Sequence, residues 1–532
     1  GILNTNTTTG VNFDLTVTGN VSNYGTLTLN ASTFSAAFLR NYSTGVVPAS
    51  TGEHTFTDAL RNDNSYTFTN GNTLLTGRGV GNSGYVLDDQ GSTMDYNGGT
   101  INIGNGTDIG GNTNIRPQAS HDLNDLIINC TNSRIVYLAT ACDIAGDLTI
   151  TAGELDTGAD LALTVGGQAK ISGGTLTCNA STILIGQTDL SPADGTLWGL
   201  YLNGGTFTGG SGTHTISSIF EGGGSTATLT SGDTTLNGYN TSAAAPLKVT
   251  GGTFAQTAGK VIFNGFNQLA IHLQQSIQFH DVQWSYAAEM KIYNWATSYV
   301  ITVTGTLTVD SGSTFNLAHY AGGASADNSL LVTEGATIAG TLNCYGSGGG
   351  KAASFGSLTI ASGGIFNATS GTTTINGSFD NNGTDPTTSF IHNSGTVLIE
   401  PPGASGTDIN GSSTGTGTVF YNLTTAATST VNIVGLNEKM VIENHLDANA
   451  KTRPSGEVRF GKTDASTVAE GGSVNTGTYM QMFGGKFLGL STIYPCVFTT
   501  SAPDGSVFNY EDSSDFELGN LDWSVLDYTS DT

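Results

Sequence analysis

The stretch Phe279–Val309 recurs, and this recurrence limits the fold more than any local motif does. An earlier copy opens at Leu123–Ile128 and closes at Ile144–Ile150. A later one opens at Phe420–Thr425 and closes at Met440–Leu446. Asp125, Asp281 and Asn422 correspond, as do Leu126, Val282 and Leu423, and further on Leu148, Leu307 and Leu446. A second block precedes each copy, at Met94–Ile101, Phe254–Val261 and Phe390–Val397. The spacings Met94 to Phe254 and Phe254 to Phe390 set a super-repeat of about 140–160 residues. Self-similarity at a fixed period marks a repeat architecture, in which each unit buries its apolar face only against its neighbours. The expected divisions are 1–93, 94–253, 254–389, 390–515 and 516–532.

Within a unit the apolar residues alternate. Leu148/Ile150, Leu163/Val165 and Ile183/Ile185 are short period-two runs, parted by Gly153, Gly158, Gly166-Gly167 and Gly173-Gly174. Period two marks strands with one buried face, and glycine supplies the backbone freedom of tight turns. Only 11% of residues are charged, 75 are Gly and 10 are Pro, and good helix formers are scarce. The reading is all-β: a right-handed parallel β-helix, or β-solenoid, with rungs of about 20–25 residues stacked at about 4.8 Å. The alternative is a string of tandem β-sandwiches. It is disfavoured because the pattern crosses the unit boundaries without Pro- or Asp-rich linkers. Residues 31–62, with Phe34, Phe38 and Leu39, are the least regular and read as a loop or a short capping helix.

Segments such as Ala145–Gly153 and Phe355–Ile365 resemble the strand-turn units of secreted parallel β-helix surface proteins, namely autotransporter passengers and filamentous-haemagglutinin-type adhesins. That resemblance implies a secreted, extracellular or cell-surface setting, with glycans or a host surface as further partners.

The repeat phase suggests how such a chain is used. Gly519–Ser524 matches His280–Ser285, and Asp14–Val21 matches the Ile301–Leu307 half. The chain therefore opens late in one copy and closes early in another, and two molecules placed head to tail complete one repeat. The expected assembly interface is Phe13, Leu15, Val17 and Val21 at one end, with Phe516, Leu521, Trp523 and Val525 at the other. The predicted function is a structural, non-enzymatic subunit of an extracellular filament, with the chain itself as partner. The alternatives are a segment of a surface adhesin or viral fibre, and a polysaccharide-acting β-helix enzyme.

Composition and motifs narrow the other classes. The net charge of −26 opposes nucleic-acid binding. No run is long and apolar enough to span a membrane. The five cysteines form no CxxC pair, so no zinc site is expected; Cys130 and Cys142 read as two buried thiols or a local disulfide. Gly456–Thr463 fits a phosphate-loop pattern, but Glu457–Phe460 alternates like a strand and no helix-length segment follows. Gly77–Gly84 mimics a dinucleotide fingerprint and reads as a turn. The carboxylates that a sugar-cleaving site would need are Asp88-Asp89, Asp189 with Asp194, and Glu511-Asp512 with Asp515. None is framed in sequence by Arg or Lys, so solvated turns are the expectation. No cofactor is predicted, with Ca²⁺ at the acidic stretch Asp504–Asp527 as the one cation considered.

Overall fold

The computed structural model describes residues 1–5, 12–91, 93–118, 120–186, 198–238, 245–265, 269–287, 289–293, 298–319, 328–345, 352–402, 407–411, 417–425, 430–433, 439–448, 451–454 and 457–460, and beyond these only the strands Ser473–Thr476, Tyr479–Gln481, Lys486–Gly489, Val497–Thr499, Val507–Asn509 and Asp515–Glu517. It is a parallel β-solenoid, as the alternation predicts. The chain divides into two compact units, Gly1–Gln275 and Ser276–Thr532.

In the first unit, parallel pairing carries each strand onto the strand one turn later in the same register. One inward column runs Leu15, Phe34, His54, Thr73, Ile101, Leu126, Leu148, Ala169, Leu200, Ile219 and Leu247. Successive members are mostly 19 to 28 residues apart, which matches a rung of the expected length. From Phe34 onward every member is buried. Because side chains alternate across a strand, register stacking makes a continuous buried column, apolar but for His54 and Thr73, from residues far apart in sequence. A separate five-stranded sheet stacks Leu3, Leu27, Val47, Tyr66 and Met94 in the same way.

The second unit has three parallel stacks. One begins Ile277–Phe279, Val300–Val303, Ser329–Val332; another Asp281–Trp284, Thr306–Val309, Gly335–Ile338; the third Glu289–Tyr293, Thr314–His319, Thr341–Asn343. Its core is aromatic. Phe355, Phe366, Phe379, Phe390 and Phe420 form a chain of ring contacts 5.2 to 5.9 Å between centroids. Trp284 is buried and stacks on Phe315 at 4.1 Å.

The recurring block is a stacked strand pair. Leu126 lies on Leu148, Val282 on Leu307 and Leu423 on Leu446, the same relationship in each copy. Within the second unit the two copies lie on different stacks, Val282 in one and Leu423 in another. The super-repeat is therefore not a whole number of turns.

Residues 31–62 differ from expectation. They contain two of the longest strands, Phe34–Asn41 and His54–Asn62, paired in parallel. A register shift between Ala36 and Phe38 buries Phe38 and Leu39 consecutively. That bulge breaks the period-two pattern on which strand recognition depends. Cys130 and Cys142 are free, buried thiols, as are Cys178 and Cys344, so no local disulfide forms.

Candidate functional site

Among the described residues, a dense polar arrangement lies at one corner of the first unit, where a four-residue motif recurs once per turn. It reads Val21–Tyr24, Leu39–Tyr42, Leu60–Asp63, Leu87–Gln90 and Ile115–Gln118, and pairing places the copies over one another. Alternation sends the first and third residue of each copy inward and the second and fourth outward.

The inward third position is a ladder of buried amides. Asn23 Nδ2 donates to Asn41 Oδ1 at 2.8 Å, Asn41 Nδ2 to Asn62 Oδ1 at 2.9 Å, and Asn62 Nδ2 to Asp89 Oδ1 at 3.3 Å. Each amide both accepts and donates, so the ladder has a direction. Its last member needs only an acceptor, which the Asp89 carboxyl oxygen supplies. The second oxygen of Asp89 meets His121 Nδ1 at 2.6 Å. Buried polar groups are tolerated only when satisfied, and here the backbone completes the set: Asn41 also donates to the Gly45 and Ser65 carbonyls, and Gly91 N–H donates to Asp89.

The outward second position carries Arg40, Arg61, Asp88 and Arg116 in one column. Asp63 accepts from Arg40 Nε at 2.8 Å and from Arg61 Nε at 2.7 Å. Asp88, with its side chain only 1% exposed, accepts from Arg116 Nε at 2.8 Å, and Arg61 Nη1 lies 3.7 Å away. The hydrogen bond to Asp63 holds Arg40 above its ordinary pKa, and that to Asp88 does the same for Arg116. The guanidinium carbons of Arg40 and Arg116 sit 4.3 Å and 4.4 Å from the ring centres of Tyr42 and Tyr85. Tyr24 stacks on Tyr42 at 4.1 Å and is largely exposed.

This corrects the expectation that no arginine frames the Asp88-Asp89 pair. Arg61 and Arg116 come from the turns on either side, each more than 25 residues away in sequence. The two carboxylates nevertheless do not converge. As neighbours on one strand, Asp88 faces the outer arginines and Asp89 the inner amides and His121. Asp189, Asp194, Glu511 and Asp512 lie outside the described residues. Asp515 falls in the strand Asp515–Glu517, described by its backbone alone.

The other sequence candidates are placed as follows. Phe13 is 57% exposed, while Leu15, Val17 and Val21 are half-buried beside it. Leu15 stands on Phe34 and Val21 on Leu39. Phe516 pairs with Phe487. Leu521, Trp523 and Val525 lie outside the described residues, as does most of Asp504–Asp527. Glu457–Phe460 is a strand, as its alternation predicts, and Gly461–Thr463 falls outside the described residues. Gly77–Gly84 is a turn with Gly79 and Gly84 at positive φ. The Asp58 carboxylate accepts from the Val80 and Gly81 N–H groups at 2.7 and 2.8 Å, so the chain's own anion fills the cradle. His280 is half-buried, with Nδ1 3.2 Å from Asp281. Among the described residues no group of three or more His, Cys, Asp or Glu is placed to hold a metal ion, and no helix is long and apolar enough to cross a membrane.

Two histidines are built into the first unit's interior. His54 bonds Ser50 Oγ at 3.0 Å and Tyr66 Oη at 3.2 Å. His214 is fully buried edge-on to Phe207. Burial lowers both to a pKa of about 4. No family model matches the chain, and neither a curated protein nor a solved structure matches it.

Proposed function

We propose that the chain is a structural, non-enzymatic subunit of an extracellular or cell-surface filament, in which copies add head to tail by parallel strand stacking. The observation that supports this is the in-register parallel stacking by which each turn is laid on the next, from the strand Ile2–Asn4 onward. Leu3 stands in register on Leu27, an inward position, yet Leu3 is 53% exposed while Leu27 is 3% exposed. Ile2 is 80% exposed beside it. The strand pairs in parallel with Thr26–Thr28. Parallel strands add to one another by the same backbone hydrogen bonds and the same register stacking, so a further turn can be supplied by another chain. A contact between unlike ends whose rotation does not close into a ring propagates as a fibre. The secreted setting and the glycan or host-surface partners rest on the resemblance to surface β-helices. The alternative, a segment of an adhesin or viral fibre, has the same fold.

Electron microscopy of the purified chain across a concentration series is the test. Fibres that vanish when Ile2 and Leu3 are replaced by Lys, with circular dichroism unchanged, are the expected result. Single particles at every concentration would remove the filament reading and leave the adhesin or fibre segment.

A further inference from the structure

We propose that the core of the first unit holds a bound water molecule between His214 and Thr234, at a site that neither the filament reading nor the arginine corner requires. Two corners of this unit are built alike. Each opens with Asn-Ala-Ser-Thr, at Asn30–Thr33 and at Asn179–Thr182. In both, the Asn is at positive φ, 51° and 50°, and its carbonyl accepts from the next turn, from the Thr51 and Ser211 N–H groups. That turn ends in an inward histidine, His54 or His214, and the one after it in an inward threonine in register on the ring, Thr73 or Thr234. The backbone between them repeats as well. Asn70 N–H donates to the Ser50 carbonyl at 3.0 Å, and Ser231 N–H to the Gly210 carbonyl at 2.8 Å. Both histidines are fully buried, and each meets a phenylalanine ring edge-on, Phe34 at 5.9 Å and Phe207 at 5.8 Å.

The two corners differ in what reaches the ring. His54 is held by the Ser50 hydroxyl at 3.0 Å and the Tyr66 hydroxyl at 3.2 Å. Ser50 lies four residues before its histidine, and Gly210 takes that place before His214. Tyr66 lies seven residues before its threonine, and Ala227 takes that place before Thr234. No side chain can return at Gly210, because it sits at φ 69° with the Asn179 carbonyl where a Cβ would stand. Val47 beneath Tyr66 is replaced by Phe207 beneath Ala227, so the exchange returns a ring to the core but neither hydroxyl. Among the described residues, neither nitrogen of His214 has a hydrogen-bond partner, nor has Thr234 Oγ1. The Gly209 carbonyl favours a proton on the ring, but no bond of normal geometry joins them. Nearby hydroxyls are engaged elsewhere: Thr230 with the Gly212 carbonyl at 2.6 Å, and Ser181 with Thr157 at 2.7 Å. Thr73 Oγ1 is unpartnered too, so the threonine alone decides nothing and the imidazole carries the argument. Buried polar groups are satisfied by protein or by ordered water, and water enters where two or more polar atoms converge. What the second corner lacks fixes the ligand: a neutral group of hydroxyl size that both donates and accepts. One imidazole and one hydroxyl do not make a metal site.

The test is a crystal structure of the full chain at a resolution that shows ordered solvent, with urea unfolding of His214→Phe, Thr234→Val and the double variant beside it. A solvent peak about 2.7–3.2 Å from a His214 ring nitrogen and from Thr234 Oγ1 is expected. No such peak is expected at either nitrogen of His54. Each single variant strips the water of a partner and should lower the urea midpoint. The double variant removes the water together with its partners, and its midpoint should fall by less than the sum of the two. Protein atoms bonded to both His214 nitrogens, or apolar atoms filling the space beside the ring, overturn the proposal. So do midpoint shifts that simply add.

Discussion

Asn41→Ala tests whether the buried amide ladder holds the corner. The Asn41 side chain is fully buried. Its two N–H groups serve three acceptors, Asn62 Oδ1 at 2.9 Å, Ser65 O at 2.8 Å and Gly45 O at 3.1 Å, and its oxygen accepts from Asn23 Nδ2 at 2.8 Å. Removing it does not strand every partner. Asn23 Nδ2 keeps Val46 O, Asn62 Oδ1 keeps the Asn64 N–H, and Gly45 O keeps Asn64 Nδ2. The loss is therefore nearer the net value of the bonds, about 1 kcal/mol each, than the full desolvation of four orphaned groups. About 4 kcal/mol is expected for the four bonds. Asn41→Asp keeps shape and volume but sets an anion against three oxygen acceptors. It is expected to cost at least as much at neutral pH and to recover partly on acidification, when its proton restores a donor. Because solenoid turns couple mainly to their neighbours, the loss should be local. The assay is native-state hydrogen exchange, which resolves the free energy of opening segment by segment. Amides of residues 39–66 should lose most of the protection, and those of residues 145–177 little. A change below about 0.5 kcal/mol at Asn41→Ala, or one spread evenly over the chain, would refute the ladder as a stabilising element.

Acid should weaken the first unit before its carboxylates titrate. His54 and His214 have folded pKa values of about 4 against an ordinary 6.5, so the unfolded chain binds protons first. Their contribution is complete above pH 6.5 and declines as pH falls toward 4, by up to about 3 kcal/mol for each imidazole; urea midpoints that stay flat between pH 7 and pH 4.5 would contradict this. Burial pushes the Cys130 thiol up to about 11 and raises Cys142, Cys178 and Cys344 further. These four should be silent to a thiol-disulfide reagent at pH 8 until denaturant is added, and labelling of any of them in the folded chain, read by mass spectrometry, would refute their placement. Gly210 sits at φ 69°, where a Cβ would meet the Asn179 carbonyl oxygen at 1.7 Å. Gly210→Ala should cost about 2 kcal/mol or more, measured by thermal unfolding, with Gly251→Ala, which meets open space, as the mild control.

The solenoid was legible in the sequence because its cause is local. Leu148/Ile150, Leu163/Val165 and Ile183/Ile185 alternate within three or four residues, and the glycines between them mark the turns. The three copies of the long repeat were legible for the same reason: each preserves one stacked strand pair. Residues 31–62 misled because a bulge places Phe38 and Leu39 on the same side, and a period-two reading treats that as disorder in the pattern. Nothing local signals which strands a bulge will join.

The arginine corner was missed for a different reason, and one that is instructive about solenoids. Its signal is in the sequence: LRNY at Leu39–Tyr42, LRND at Leu60–Asp63 and LDDQ at Leu87–Gln90 are one motif repeated at the length of a turn. A period of 21 to 27 residues is hidden beneath the 140–160-residue spacing of the long repeat. Carboxylates here are framed across the chain, by register, and not along it. Arg61 and Arg116 reach Asp88 only because their strands lie one turn below and one turn above it. In a parallel coil the sequence neighbours of a residue point to the opposite face. A functional surface is therefore assembled from positions one turn apart, and single columns, not contiguous motifs, are the unit in which its chemistry has to be sought.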